Sequence, residues 1–212
     1  WDNLETLKTF HRPLPPDNPP KEDEEVKDDY DYYHLNTIKL LPPNSLGIVD
    51  PRFREGNWLI CLRNASMVLI LDSETKEVVW SWGEDVTEWP HMPVMLQNGN
   101  ILIFDNGVGR HYSRVLQIDP RTLEIIWEFK TDPPSLFYSE YCGNAQRLAN
   151  GNTLIANADS GHAFEVTRDG RVVWEFLNFE VVTGRRKVFY RLERYPLGHI
   201  EQFLLPEPHT AQ

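Results

Sequence analysis

Leu96-Gln97-Asn98-Gly99-Asn100-Ile101-Leu102-Ile103 and Leu148-Ala149-Asn150-Gly151-Asn152-Thr153-Leu154-Ile155 are near copies of one another. Each is an apolar run, an Asn-Gly pair and a second apolar run. Both residues of Asn-Gly tolerate positive φ, so the pair between two strands is the strongest short-range hairpin signal. Leu41-Pro42-Pro43, followed by Glu55-Gly56-Asn57-Trp58-Leu59-Ile60, holds the same place in a longer form. A second marker comes after each. Two β-branched residues and a tryptophan recur as Val78-Val79-Trp80, Ile125-Ile126-Trp127 and Val172-Val173-Trp174, spaced 47 and again 47 residues apart. Leu69-Ile70-Leu71-Asp72, Leu116-Gln117-Ile118-Asp119 and Phe164-Glu165-Val166-Thr167 precede these, each running into a polar turn. Two such strands about a tight turn make a second hairpin.

Each unit therefore holds four short strands, over residues 34–83, 90–130 and 141–178. A repeat of about 40–50 residues with four strands is a propeller blade. A flat sandwich is the alternative all-β reading, but sandwiches lack such regular internal spacing. The expected fold is all-β: a β-propeller with about three four-stranded blades across residues 30–178. Three blades do not close a ring, and each must bury its faces on neighbours. Further blades ahead of Trp1, or a second copy, are expected to complete it. Residues 1–29 carry Pro13, Pro15, Pro16, Pro19 and Pro20 and the acidic run Lys21-Glu22-Asp23-Glu24-Glu25. They read as an extended connection. Residues 179–212, with Tyr190-Arg191-Leu192-Glu193-Arg194-Tyr195-Pro196, read as a terminal strand or packing arm.

Charge narrows the partners. The net charge is −11, with 32 acidic against 21 basic residues, which argues against nucleic acid. No stretch approaches the roughly 18 apolar residues of a membrane span. Cys61 and Cys142 form neither a disulfide framework nor a zinc site and read as small structural residues. No metal site or cofactor is indicated.

Propellers place function at the central channel, lined by the first strand of each blade. Those strands begin His34-Leu35-Asn36-Thr37-Ile38, Trp89-Pro90-His91-Met92-Pro93-Val94 and Gly143-Asn144-Ala145-Gln146-Arg147. His34 and His91 fall at nearly equivalent positions, either as channel ligands or as local strand caps. Arg63 stands in the apolar setting Leu59-Ile60-Cys61-Leu62-Arg63-Asn64, where it needs an anionic partner. That partner is a bound anion or a channel carboxylate such as Asp105, unless the side chain is exposed at a strand end. A cation beside histidines suits sulfuryl or phosphoryl transfer, with arginine on the oxyanions and histidine as nucleophile or proton shuttle. Asp105 and Asn106 read as turn-formers. His111 is placed near the channel mouth, His162 after a Gly turn, and His11, His199 and His209 in peripheral segments.

Three stretches resemble the bacterial PAPS-independent arylsulfotransferases. They are His34-Leu35-Asn36 with Leu62-Arg63-Asn64; His91 ahead of Leu96 to Ile103 and Phe104-Asp105-Asn106-Gly107; and Gln146-Arg147-Leu148 running into Asn150-Gly151-Asn152. The resemblance spans residues 33–178 and extends to Arg194-Tyr195-Pro196. It implies a six-bladed propeller that moves a sulfuryl group from a phenolic sulfate ester to another phenol by ping-pong chemistry. It implies that His91 is transiently sulfated, and that His34, Asn36 and Arg63 bind and polarise the sulfate. It also implies export to the periplasm. Pro90 and Met92 depart from the family's pattern of Gln before and a polar residue after the histidine, and a further channel histidine has no counterpart. Competing readings are a non-catalytic propeller scaffold and a quinoprotein-type oxidoreductase. The latter calls for a quinone beside a carboxylate metal site.

Overall fold

A computed structural model describes residue 31 and residues 33–204, without the side chains of 201–204. The proline-rich segment, the acidic run, His11 and His209 lie outside the described residues. The described residues are all-β apart from turns, three short 3-10 segments and an α-helix near their end. Three four-stranded antiparallel sheets follow one another in sequence, each a simple up-and-down meander. The first holds β1 (Leu35–Leu40), β2 (Trp58–Leu62), β3 (Met67–Leu71) and β4 (Val78–Trp82). The second holds β5 (His91–Met95), β6 (Ile101–Asp105), β7 (Arg114–Asp119) and β8 (Glu124–Phe129). The third holds β9 (Asn144–Arg147), β10 (Thr153–Asn157), β11 (His162–Val166) and β12 (Val172–Leu177). A two-stranded hairpin, β13 (Val181–Val182) with β14 (Arg185–Arg186), and helix α1 (Leu197–Leu204) follow. The helix was not foreseen in the tail.

The middle strands β2, β3, β6 and β10 are buried along nearly their whole length, as strands covered on both faces must be. Their side chains alternate between two interfaces. Leu59, Cys61, Val68 and Ile70 of the first sheet meet Met95, Ile101, Ile103, Leu116 and Ile118 of the second. Leu102, Phe104 and Val115 on the other face of the second sheet meet Ala145, Ile155, Phe164 and Val166 of the third. The tryptophans of the repeat join neighbours. Trp80 Nε1–H donates to the Pro120 carbonyl (2.8 Å), and Trp127 Nε1–H donates to the Arg168 carbonyl (2.9 Å). Trp80 is buried and Trp127 half-buried, and the polar edge of each finds a carbonyl one sheet further on.

The first strands lie together. β5 packs against β1 and β2, and β9 against β5 and β6. Gly143, at φ +127°, makes the second junction possible: a Cβ there would sit 2.6 Å from the Phe104 ring. Sheets set side by side with their first strands innermost are arranged as propeller blades are.

The tail covers the outer face of the third sheet. Asn144 exchanges two hydrogen bonds with the Leu192 backbone (3.0 and 2.9 Å), and Gln146 does the same with Arg194 (2.9 and 2.8 Å). Two carboxamides two residues apart on β9 thereby imitate a strand edge. The Arg194 guanidinium lies 5.0 Å from the Trp174 ring and binds Glu165. One repeat earlier, Arg147 lies 4.8 Å from the Trp127 ring and donates to Gln117 Oε1 at 2.9 Å. Arg194 therefore stands to the third sheet as Arg147 of β9 stands to the second.

Candidate functional site

The site is built where β1 and β5 begin. His91 opens β5, pairs with Phe104 of β6 and is almost wholly buried. The strand bulges at once: Val94 pairs with Leu102, so Met92 and Pro93 share the space opposite one residue. β1 bulges at the same level, between Leu35 and Thr37, which sets Asn36 out of register. β9 keeps regular pairing. Bulges re-aim side chains and end pairing locally. His34, Trp89 and Met92 have left-handed backbone with φ of 47°, 55° and 48°. Non-glycine residues in that region cost on the order of 1–3 kcal/mol each, and such strain persists where the surroundings over-determine it. The imidazole's entry into the core is thus held at a conformational cost.

The hydrogen bonds of His91 decide its tautomer. Its Nδ1 lies 2.7 Å from Asn106 Oδ1 and 3.0 Å from the Trp89 carbonyl. The Asn106 amide faces the other way, with Nδ2 donating to the carbonyls of Ser139 (2.7 Å) and Cys142 (3.0 Å). The group turned to His91 is therefore the acceptor oxygen. With two acceptors before it, Nδ1 carries the proton, and Nε2 keeps its lone pair in the neutral ring. Burial pushes the imidazole below its ordinary pKa. The two hydrogen bonds oppose that push, while Arg63 and His34 nearby add to it. The result is a neutral base at neutral pH.

Arg63 follows the last residue of β2 rather than lying within the strand. Its N–H donates to the His34 carbonyl (3.1 Å), its Nε–H to Asn64 Oδ1 (3.1 Å), and its guanidinium stacks 4.4 Å from the Trp89 ring. Among the described residues no carboxylate lies within ion-pair distance of it. Asp105, one partner foreseen for it, is buried in a different cluster with Arg110 and Arg114 (2.9 and 2.8 Å) and also accepts the Glu88 N–H. The pKa of Arg63 is lowered by burial, as suits a cation without a close counter-ion. His34 Nδ1 pairs with Asp31. Asn36 Nδ2 donates to the Pro90 carbonyl (2.8 Å), and its Oδ1 accepts from Thr37 (3.1 Å). In this state Asn36 ties β1 to the residue before His91.

The four residues singled out from the sequence thus meet at one junction, although Asn36 is engaged with backbone there. Asn106 had been read as a turn-former, yet it fixes the imidazole. The Phe104-Asp105-Asn106-Gly107 run held the signal, because an asparagine that ends the strand paired with β5 lies beside that strand's first residue. His111 is exposed, against Tyr138, and His162 pairs with Glu175 (3.0 Å), both apart from the junction. No group of three or more metal-binding side chains occurs among the described residues.

A cleft of about 800 Å³ runs along β5 from Met92 to Met95 and is bounded by Lys39, Gln117, Gln146 and Arg147. The four junction residues do not line it. At roughly 3.3 Å per residue, the strand separates Met95 from His91 by about 13 Å. The cleft begins at Met92, next in the chain to His91, and its cations lie toward the other end of β5, while the hydrogen-bonded histidine marks the chemistry.

The sequence matches a family described as Arylsulfotransferase (ASST) over residues 12–179, well over half of the chain. No curated protein matches it. Among solved structures, a protein of unknown function from Bacteroides caccae aligns at 15% identity and a TM-score of 0.43, over 57% of this chain and 42% of its own. A catalytically inactive virginiamycin B lyase from Staphylococcus aureus, with quinupristin, aligns at 10% identity and a TM-score of 0.48, over 71% of this chain and 43% of its own. The chain spans less than half the length of either.

Proposed function

The chain belongs to the arylsulfotransferase (ASST) family, and from that premise we propose that it transfers a sulfuryl group from a phenolic sulfate ester to a phenol through His91. One observation carries the reading. The Nδ1–H of His91 is committed to Asn106 Oδ1 and the Trp89 carbonyl, which leaves the Nε2 lone pair as the reactive position.

In the first half-reaction Nε2 attacks sulfur, the bond from sulfur to the aryl oxygen breaks, and phenolate leaves to be protonated by solvent. The ring is then N-sulfated at Nε2 and still protonated at Nδ1, with its positive charge facing the two acceptors. In the second half-reaction an acceptor phenol gives up its proton to solvent, attacks sulfur and breaks the nitrogen–sulfur bond. Neutral His91 is restored. Arg63 opposes the charge on the sulfuryl oxygens, and its partial burial strengthens that interaction. His34 stands beside it, while Asn36 holds the β1–β5 junction and reaches substrate only by releasing Pro90. The same proposal includes closure into a six-bladed ring, by further blades or a second copy, and work in the periplasm. No helix among the described residues is long and apolar enough to cross a membrane.

The test is intact-mass spectrometry of the full-length protein after brief exposure to an aryl sulfate. A gain of about 80 Da, absent in His91→Ala, is the expected signature of covalent transfer. Because burial lowers the His91 pKa, adduct formation should be level through neutral pH. It should decline only below the ordinary histidine value of about 6.5. No adduct and no released phenol from the wild type would leave a propeller that binds but does not catalyse.

A further inference from the structure

The cleft along β5 carries more positive charge than its surroundings neutralise. Lys39, Arg147 and Arg168 reach it from β1, β9 and the turn after β11. Among the described residues none of the three has a carboxylate within ion-pair distance. Arg147 shows why this is unusual. At the equivalent place one repeat later, Arg194 is neutralised by Glu165, which also accepts from Asn150 (3.1 Å) and Asn152 (2.7 Å). Arg147 finds Gln117 there instead, at 2.9 Å, and the Gly151 carbonyl at 2.9 Å. Both of these partners are neutral. Glu193 is the carboxylate on the lining. It is turned to the Tyr195 hydroxyl (2.5 Å), with Arg191 at 3.9 Å. Burial lowers the pKa of Lys39, with Glu193 opposing and Arg191 adding to it, and burial also lowers that of Arg147, where Arg168 adds to the effect.

We propose that this cleft is a second ligand site, separate from the His91 junction, that binds a small organic anion. The oxyanion head sits on Lys39, Arg147 and Arg168. The apolar body lies along Met92, Val94 and Met95, which form a wall without charge. Arg147 is prepared for this. Its plane is fixed by the Trp127 ring and by two neutral acceptors, so its remaining N–H groups are pre-oriented and the ligand orders little on binding. A volume of about 800 Å³ exceeds the needs of a bare inorganic ion and suits an anion with a hydrocarbon part.

Benzenesulfonate is a suitable probe, because its carbon–sulfur bond gives it no sulfuryl group to hand to an imidazole. Titration calorimetry on the full-length protein at physiological ionic strength should show saturable binding. Gln117→Glu gives Arg147 the carboxylate that Arg194 already has, and it should weaken binding at least tenfold. Gln117→Met, which adds no charge, should stay within about threefold of wild type. Arg63→Ala, at the junction, should leave this binding in place. Gln117→Glu that melts like wild type yet binds within twofold of it would overturn the proposal. So would binding lost in Arg63→Ala and kept in Gln117→Glu, since the anion would then sit at the His91 junction. Inorganic sulfate binding as tightly as benzenesulfonate would overturn the role of the apolar wall. A missing sulfuryl adduct in the mass experiment would leave all these outcomes readable, because none of them depends on transfer.

Discussion

Arg147 and Arg194 occupy equivalent places 47 residues apart, each stacked on the tryptophan of the preceding sheet. They differ in what meets the guanidinium: Gln117 in one case, Glu165 in the other. The stacking is a structural property of the repeat, since it recurs whatever the partner. The partner decides what the arginine does next. Paired with Glu165, Arg194 helps fasten the tail to the third sheet, and Gln146 holds the same backbone. Paired with Gln117, Arg147 fastens β9 to the second sheet and keeps an uncompensated charge toward the cleft. One repeat unit thus supplies a clamp or a ligand site by exchange of a carboxylate for a carboxamide.

The largest test of the clamp is Glu165→Ala. The side chain is 6% exposed and its partner Arg194 is 40% exposed. Removal leaves Asn150, Asn152 and Arg194 without their acceptor. Arg194 can turn to water and the asparagines only partly, so the expected loss is about 2–3 kcal/mol. Urea denaturation read by tryptophan fluorescence measures it. A loss below about 0.5 kcal/mol would mean that Gln146 alone holds the tail.

A smaller effect should follow Glu165→Gln, which turns the clamp into a copy of the Arg147 arrangement. The cost should be about 1 kcal/mol at neutral pH. Its pH dependence carries a sign. The carboxyl of Glu165 is held below its ordinary pKa, chiefly by the Asn152 hydrogen bond, with Asn150 and Arg194 adding to it and burial opposing. A lowered folded pKa means the unfolded chain binds the proton more readily. The carboxylate's contribution is therefore complete above the unfolded value of about 4.3 and is lost as pH falls through the lower folded value. Wild type and Glu165→Gln should differ at pH 7 and converge on acidification from about pH 5 downward. Other lowered carboxyls, such as Asp50 and Asp119, are common to both proteins and cancel in the difference. A gap that does not change with pH would assign the stability to hydrogen bonding alone.

What the sequence disclosed follows from what repeats. Asn-Gly turns and the Val-Val-Trp or Ile-Ile-Trp strands are local signals with short reach, so four-stranded antiparallel sheets could be read directly from them. His34 and His91 could be singled out because they hold nearly equivalent positions in successive repeats. Asn106 was not, because its effect on His91 depends on which way a carboxamide points, and two carbonyls from the segment 139–142 settle that. The use of Asp105 by Arg110 and Arg114 likewise depends on three-dimensional neighbours. For the tail the sequence offered a terminal strand or a packing arm without deciding between them. Residues 190–196 carry no strand pattern of their own, and Asn144 and Gln146 hold them by side chain rather than by ladder.

The smallest expected effect is the most discriminating. Gln117→Glu installs in the second sheet the carboxylate that the third sheet already has. Burying another carboxylate costs free energy, and the attraction to a half-buried Arg147 offsets most of it. The net change in stability should lie within about 0.5 kcal/mol of zero. In an Arg147→Met background the same change should be clearly destabilising, because the carboxylate then has no cation. The double-mutant cycle should give a favourable coupling of about 1 kcal/mol between Glu at 117 and Arg147, within the range for residues in contact. A coupling near zero would mean that Arg147 does not swing its charge onto position 117. The likeness between the two arginines would then be one of stacking geometry alone, and the cleft would owe its charge to Lys39 and Arg168.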